Sequence, residues 1–596
     1  METTDTFPNE DAYNDPNYQR QEDEEADRKR PDSDGDYIPP PRQRGQKVRG
    51  RGQTKAPAPR RKHAPADGSK PIVRYEPSPA AYKAAVDKVS EILAGKGIFV
   101  QAGRLMTTVT LADKATYGRN DSIRFDKGAT ITVPVTADDV LSLIQEHVSV
   151  ERYDARAGGY VEKEPPATLV KGVMRLRNDM PYPVLTGIAN APCLRSDGSI
   201  LDREGYDEDT GLFVDFQGVT FPPVPDRPTV QDVTTAWALL EDLLSEFPFA
   251  REKPEEDGED APADATALLN KSVALSSVLT AVTRRAYDNA PLHAHSAHTA
   301  GTGKSTLANV TGIIATGHKP AGIIVPKDDV EFEKTFFSLL IKGAPVSLLD
   351  NITRPLNPDM LCSALTQRTI EARNLGATKM LTAYSSAAFI ATGNNLQICG
   401  DLIRRTMLCQ LNRNEERPAE HPFKRNIIEW TRAHRAELVC AVLTIMRAYH
   451  VAGRPKPEGF KPLGSFEAWS DWVRGALVHW GYPDPIESQR RLEAEDPDKA
   501  AFGRVLECWH AAYDRNPMPL GSVFKDFSNT SDPRRSLYLD LQEAFEEAVP
   551  HKGDLRISNA GRWLDRKKGG FANGYQLIRL QRTAQGWLWK VNPPKS

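Results

Sequence analysis

Cysteine is scarce and unpaired in this sequence. Its 596 residues hold six, Cys193, Cys362, Cys399, Cys409, Cys440 and Cys508, and no two form a CxxC pair. That scatter excludes a zinc knuckle and a disulfide frame, and it fits a reduced, cytoplasmic protein. Long apolar runs are missing as well. None approaches the ~18–20 residues that span a bilayer, so no membrane partner is expected. The amino terminus is acidic and polar, unlike a secretory leader. A surplus of charge of either sign is also lacking, with 77 Lys and Arg against 80 Asp and Glu. The net charge of −3 therefore leaves nucleic-acid binding to be decided by local patches. What the chain does have is length, enough for roughly two to four domains.

Residues 1–74 are poor in branched apolar residues and read as a disordered tail. Its charge is segregated: Glu22-Asp23-Glu24-Glu25 near the start, then a basic stretch from Arg42 to Arg74. The basic half has the composition of an auxiliary nucleic-acid contact; the alternative is a solvated tail whose halves attract each other. Residues 75–250 carry a mixed α/β pattern, with helices expected at 79–93, 137–147 and near 230–247 and strands at 98–100, 131–133 and 211–216. Two-metal polymerase chemistry needs closely paired carboxylates. Asp215 in Phe213-Val214-Asp215-Phe216 has no acidic neighbour two places away, so this accessory domain reads as a DNA-binding or assembly module. Residues 251–264 are acidic and proline-bearing and read as a surface linker.

The informative stretch follows. Residues 299–306 read Thr299-Ala300-Gly301-Thr302-Gly303-Lys304-Ser305-Thr306 and lie between an apolar run and a helical pattern. Gly301 and Gly303 let the backbone turn its N–H groups inward onto a polyphosphate, as a phosphate-binding loop does. Lys304 can reach the β- and γ-phosphates of ATP, the Ser305 hydroxyl can ligate Mg²⁺, and the helix adds its positive end. The strict spacing asks for glycine where this chain has His298. Beyond the loop, helices at 304–316 and 329–341 alternate with buried strands at 322–325, 343–351 and 387–395. That alternation implies a parallel sheet with its ligand at the carboxyl ends of the strands. Asp350 would then stand beside the loop and share Mg²⁺ with Ser305. Asn394 or Asn395, ending the next strand, could orient water or touch the γ-phosphate. The paired Arg404 and Arg405 could stabilise charge on a transferring phosphoryl group.

The order GTGKS, LLDN (348–351), ATGNN (391–395), GDLIRR (400–405) resembles the AAA+ ATPases, and within them the superfamily 3-like helicases of phage and mobile-element primase–helicases. The likeness runs from about Ala265 to Arg417 and includes Glu331-Phe332-Glu333-Lys334. The segments Leu194–Ile200 and Gly205-Tyr206-Asp207 resemble the domain that precedes such an ATPase. The resemblance implies a P-loop AAA+ ATPase domain over 265–455 with a helical region over 456–540. It further implies Asn394 as polar sensor, Arg405 as the trans-acting finger with Arg404 as runner-up, and a homo-oligomeric ring, a hexamer, working with replication proteins on DNA. Many members place a glutamate after the Asp350 equivalent. Here stands Asn351, which cannot accept a proton, so either Glu331 or Glu333 replaces it from the preceding helix, the preferred reading, or hydrolysis is slow. Residues 372–380 resemble the hairpin that such helicases project into the ring pore, where Arg373 or Lys379 would grip DNA phosphates; the alternative is a structural hairpin.

Three histidines, His293, His295 and His298, have no second cluster to complete a ligand set and read as structural. A long helical pattern covers 425–451, another covers 465–480, and 487–499 reads as a loop or exposed helix. In the last unit, 541–596, Ser558 should cap a helix bearing Arg562, Arg566, Lys567 and Lys568. Strands at 575–581 and 587–591 follow. Helix then basic hairpin is the pattern of a winged helix whose side chains meet DNA. The alternative is that the basic residues only complement the helix's negative end. The sequence therefore points to an ATP-driven DNA helicase, with a nucleotide-switched initiator or helicase loader as the second reading.

Overall fold

Five short runs that alternate with helices supply a parallel sheet: β1 (Leu292–Ala297), β2 (Ala321–Ile324), β3 (Val346–Ile352), β4 (Ala388–Asn394) and β5 (Thr406–Leu411). The coordinates are a computed structural model that describes residues 70–76, 78–117, 123–175, 180–252, 264–326, 328–373, 380–413, 423–494, 496–549, 555–583 and 586–594. The strands lie in the order β5-β1-β4-β3-β2, and every neighbouring pair is parallel. β1 is buried along its whole length, as expected for a strand covered on both faces. Beyond β2 the sheet gains two antiparallel strands from far upstream, Ile123–Phe125 and Ala115–Tyr117.

The helices around it are α1 (Ala265–Thr283), α2 (Lys304–Thr316), α3 (Asp329–Lys342), α4 (Asp359–Thr366) and α5 (Arg435–Val451). Their ends carry the chemistry that orphaned backbone groups require. Asp264 accepts from the N–H groups of Thr266 and Ala267 at the start of α1, and Asp328 accepts from that of Glu331 in α3. Gly317 and Gly343 terminate α2 and α3 at φ of 83° and 69°, where a side chain would be strained. The far end of α2 is held from α5. The buried Arg435 donates from Nε to the carbonyls of Ile313 and Ile314 and from Nη2 to that of Asn190.

Several expectations need correction. Residues 72–74 are a strand, not tail: Ile72–Arg74 pairs with Ser149–Glu151. The remainder of that tail up to residue 69, and 253–263 of the linker, lie outside the described residues. Residues Ala265–Ala286 do reach the length and hydropathy of a membrane span, a run the sequence reading missed because Ser and Thr interrupt it. In the fold 78% of its most apolar window is buried. The helix expected over 425–451 breaks at His434 into Ile427–Ala433 and α5. Residues 487–499 hold the end of a helix, Ile486–Ala494, and the start of the next, Pro497–Tyr513.

The apolar clusters span the expected divisions. One apolar cluster runs from Val73 to Tyr182. A second is continuous from Ile123 through the sheet to Tyr449, Trp469 and Leu492, so the expected divisions at 250 and 455 cut through a single core. A third joins Phe502, Trp509, Leu541, Trp563 and Val591, on both sides of the expected division at 541. Its final helix, α6 (Ile557–Lys567), is followed by the antiparallel pair Tyr575–Thr583 and Gly586–Asn592, with Met518–Pro519 on the outer edge. Ser558 is the second residue of α6 and does not cap it; the preceding Arg556 makes no side-chain cap.

Candidate active site

The loop from His298 to Gly303 joins the carboxyl end of β1 to α2. Gly301 and Gly303 take φ of 79° and 105°, which few other residues adopt. Lys304 folds back across the loop, its Nζ 2.9 Å from the Thr299 carbonyl, and Thr302 Oγ1 donates to the same oxygen at 2.8 Å. Desolvation there lowers the Lys304 ammonium from its ordinary pKa. Phe423 and Phe247 roof the start of α2: a Cβ on Gly303 would come within 3.2 Å of the Phe423 ring.

Asp350 sits in β3, two strands from β1. Ser305 Oγ donates to its Oδ1 at 3.3 Å, and Thr392 Oγ1 donates to the same oxygen at 2.6 Å. Thr392 also accepts from the backbone N–H of Asn351 at 3.1 Å. The sequence reading missed Thr392. Its signal was a hydroxyl in the otherwise apolar run Ala387–Ala391 of a buried strand. Both hydrogen bonds meet Oδ1, and among the described residues none meets Oδ2. One hydroxyl and one carboxylate at the mouth of a phosphate loop are the hard oxygen donors that Mg²⁺ takes alongside phosphate and water. The donor set fits that ion.

Asn394 ends β4 with its side chain exposed, next to Ala297 in register. Asn395 follows at φ 46° and meets the loop, its Oδ1 2.8 Å from His298 Nδ1. The other two histidines are buried in β1, and His293 Nε2 is 2.9 Å from Ser276 Oγ. Burial pushes the two imidazoles down to about 3 and about 4, so both are neutral.

The remaining predicted groups divide. Glu331 lies in the first turn of α3, its carboxylate 3.6 Å from Lys334 Nζ. Glu333 turns away, into a cavity of about 490 Å³ shared with Asp359, Ser363, Gln367 and Glu371. The two adjacent arginines are placed differently. Arg405 is only 11% exposed and donates to the Cys362 carbonyl at 2.5 Å, to Thr366 Oγ1 at 2.7 Å and to Asp401. It therefore holds α4 within its own subunit. Arg404 is 52% exposed and bonds only Asp401 among the described residues. The strands Thr369–Arg373 and Met380–Tyr384 pair as the expected hairpin. Its tip, with Lys379, lies outside the described residues, as do the surroundings of the Arg373 side chain.

On α6, Arg562 and Arg566 are exposed and line an open groove of about 930 Å³ together with Ile557 and Trp587. Trp587 belongs to the hairpin, is 39% exposed and lies over the Arg579 guanidinium at 4.3 Å. Lys567 points elsewhere, over the Phe502 ring at 5.6 Å.

No protein-family model matches the chain, and no curated protein sequence matches it. Similar solved structures include the C-terminal region of NrS-1, which is 11% identical; the match covers 85% of this chain and 98% of that one, with a TM-score of 0.34. The SCCmec type IV helicase Cch is also 11% identical over 83% of this chain and 97% of its own, with a TM-score of 0.30. JCV helicase matches at 10% identity over 46% of this chain and 70% of its own, with a TM-score of 0.20.

Proposed function

We propose that this chain is an ATP-dependent DNA helicase of the AAA+ superfamily 3 kind, working as a homo-oligomeric ring in replication of a phage or mobile element. The observation that carries the reading is the corner where Ser305, at the phosphate loop, and Thr392, from β4, converge on one oxygen of Asp350. A loop of this composition at the carboxyl end of a parallel sheet, facing a buried strand's aspartate, is built to hold a nucleoside triphosphate with a divalent cation.

In this reading the backbone N–H groups of 300–305 cradle the phosphates. Lys304 exchanges its bond to the Thr299 carbonyl for the β- and γ-phosphates. Ser305 and Asp350 would hold Mg²⁺, which supplies charge neutralisation on the β- and γ-oxygens when bound. Thr392 fixes the carboxylate's rotamer, and the exposed Asn394 amide reports on the γ-phosphate. Arg404, lying free of the packing that occupies Arg405, completes the site of a neighbouring copy. The last unit, read as a winged helix, meets DNA phosphates through Arg562 and Arg566.

The second reading is a nucleotide-switched initiator or loader that exchanges ATP without unwinding, and Asn351 beside Asp350 favours it. Fork unwinding under Mg-ATP by the wild type, absent in Lys304→Ala, is expected for the helicase. Hydrolysis without strand displacement selects the loader, and no hydrolysis or ATP binding by the full chain rejects both.

A further inference from the structure

In the nucleotide corner Asp350 is read as a ligand of the cation, and the Glu331 carboxylate lies 3.6 Å from Lys334 Nζ. Asn351 follows Asp350, and Glu333 faces a different cavity. A different proton acceptor stands at the neighbouring strand end. His298 is the first residue beyond β1, and Asn395 is the first beyond β4. The two strands are adjacent and parallel, so both residues emerge at the end of the sheet where the phosphate loop begins.

Asn395 is held there twice. Its backbone N–H donates to the Ala297 carbonyl at 2.9 Å, and its φ of 46° is the left-handed turn that asparagine tolerates better than most residues. This conformation brings the amide oxygen within 2.8 Å of His298 Nδ1. An amide oxygen can only accept, so Nδ1 carries the hydrogen and the neutral ring presents a lone pair at Nε2. No hydrogen bond engages that nitrogen among the described residues, and the ring is exposed at the loop's mouth. An imidazole whose tautomer is set by a neighbouring oxygen, with its other nitrogen unengaged at the start of a phosphate loop, is suited to act as a general base.

We propose that His298 accepts the proton of the attacking water and that Asn395 is its positioning residue; this rests on the reading of the site as an ATPase. In the step, the water oxygen bonds to the γ-phosphorus while the bond from that phosphorus to the β–γ bridging oxygen breaks. ADP leaves with that electron pair, the water's proton passes to Nε2, and the imidazolium then releases it to phosphate or solvent. The same assignment accounts for the histidine where the strict loop pattern has glycine.

The test compares full-length wild type with His298→Ala, Asn395→Ala, Glu331→Gln and Lys304→Ala, reading Mg-ATP affinity and kcat separately. His298→Ala is expected to lower kcat about 100-fold while Mg-ATP affinity stays within about threefold, which also shows that the variant is folded. Added imidazole should restore at least about tenfold of the lost rate, which a structural role would not allow. Asn395→Ala should lower kcat by about tenfold. Turnover in His298→Ala within about threefold of wild type overturns the proposal, as does Glu331→Gln abolishing turnover that His298→Ala retains. Either result, with Lys304→Ala inactive, leaves the ATPase reading standing; a wild type that binds no Mg-ATP removes that reading itself.

Discussion

The carboxyl end of the central sheet and the basic face of α6 handle charge in opposite ways. At the sheet end the Lys304 amine folds onto a loop carbonyl, Asp350 receives two hydroxyl hydrogen bonds, and Arg405 is sunk against α4. On α6, Arg562 bonds its own helix turn, to Asn559 Oδ1 and the Ser558 carbonyl, and stands in the open beside Arg566. In the proposed reading the difference matches two kinds of chemistry. A transferring phosphoryl group needs donors fixed before it arrives. A nucleic-acid backbone, offering a charge at every step, is held by groups that need only be positive and reachable.

Substitutions can break or sharpen that contrast. The largest effects belong to the sheet end: Lys304→Ala should reduce Mg-ATP turnover by about 10³-fold or more in a steady-state assay. Arg404 and Arg405 separate catalysis from packing. Arg404→Ala should lower turnover of the assembled protein by about 10³-fold while its unfolding free energy stays within about 0.5 kcal/mol of wild type. Arg405→Ala should instead destabilise the chain by about 2–3 kcal/mol in denaturant titrations, because it removes the buried donor to the Cys362 carbonyl and the Thr366 hydroxyl at the end of α4. If Arg405→Ala were stable and Arg404→Ala fully active, the two roles would revert to the sequence-based assignment. Thr392→Val removes one hydrogen bond from Asp350 and should cost about tenfold in kcat with the fold intact. Smallest is Arg562→Ala, expected to weaken DNA binding only a few-fold, uniformly across sequences, and to flatten the salt dependence by about one unit of slope. A loss confined to one DNA sequence would instead make Arg562 a base reader.

Much of the sheet was legible because its strands and helices announce themselves. Buried parallel strands read as apolar runs, and α2 and α3 carry glycine stops at Gly317 and Gly343. Lys304, Ser305 and Asp350 were legible because a loop between strand and helix fixes where its neighbours must lie. Contacts between distant segments were not. The strand Ile123–Phe125, which extends the sheet, and Asn190, which accepts from Arg435, carry no local mark of their destination. Nor does sequence tell which of two adjacent arginines turns inward. That depended on α4 presenting the Cys362 carbonyl and the Thr366 hydroxyl to one of them. The partner of His298 was hidden for a related reason: Asn395 is 97 residues away and meets it only because β1 and β4 are neighbours.

The account rests on a triphosphate and Mg²⁺ held between Lys304, Ser305 and Asp350. Its most direct test is Mg-ATP hydrolysis by the full chain and by Lys304→Ala and Asp350→Asn, each with and without single-stranded DNA. Hydrolysis by the wild type, raised by DNA and lost in both variants, is the predicted result. Equal rates in all three proteins would contradict it.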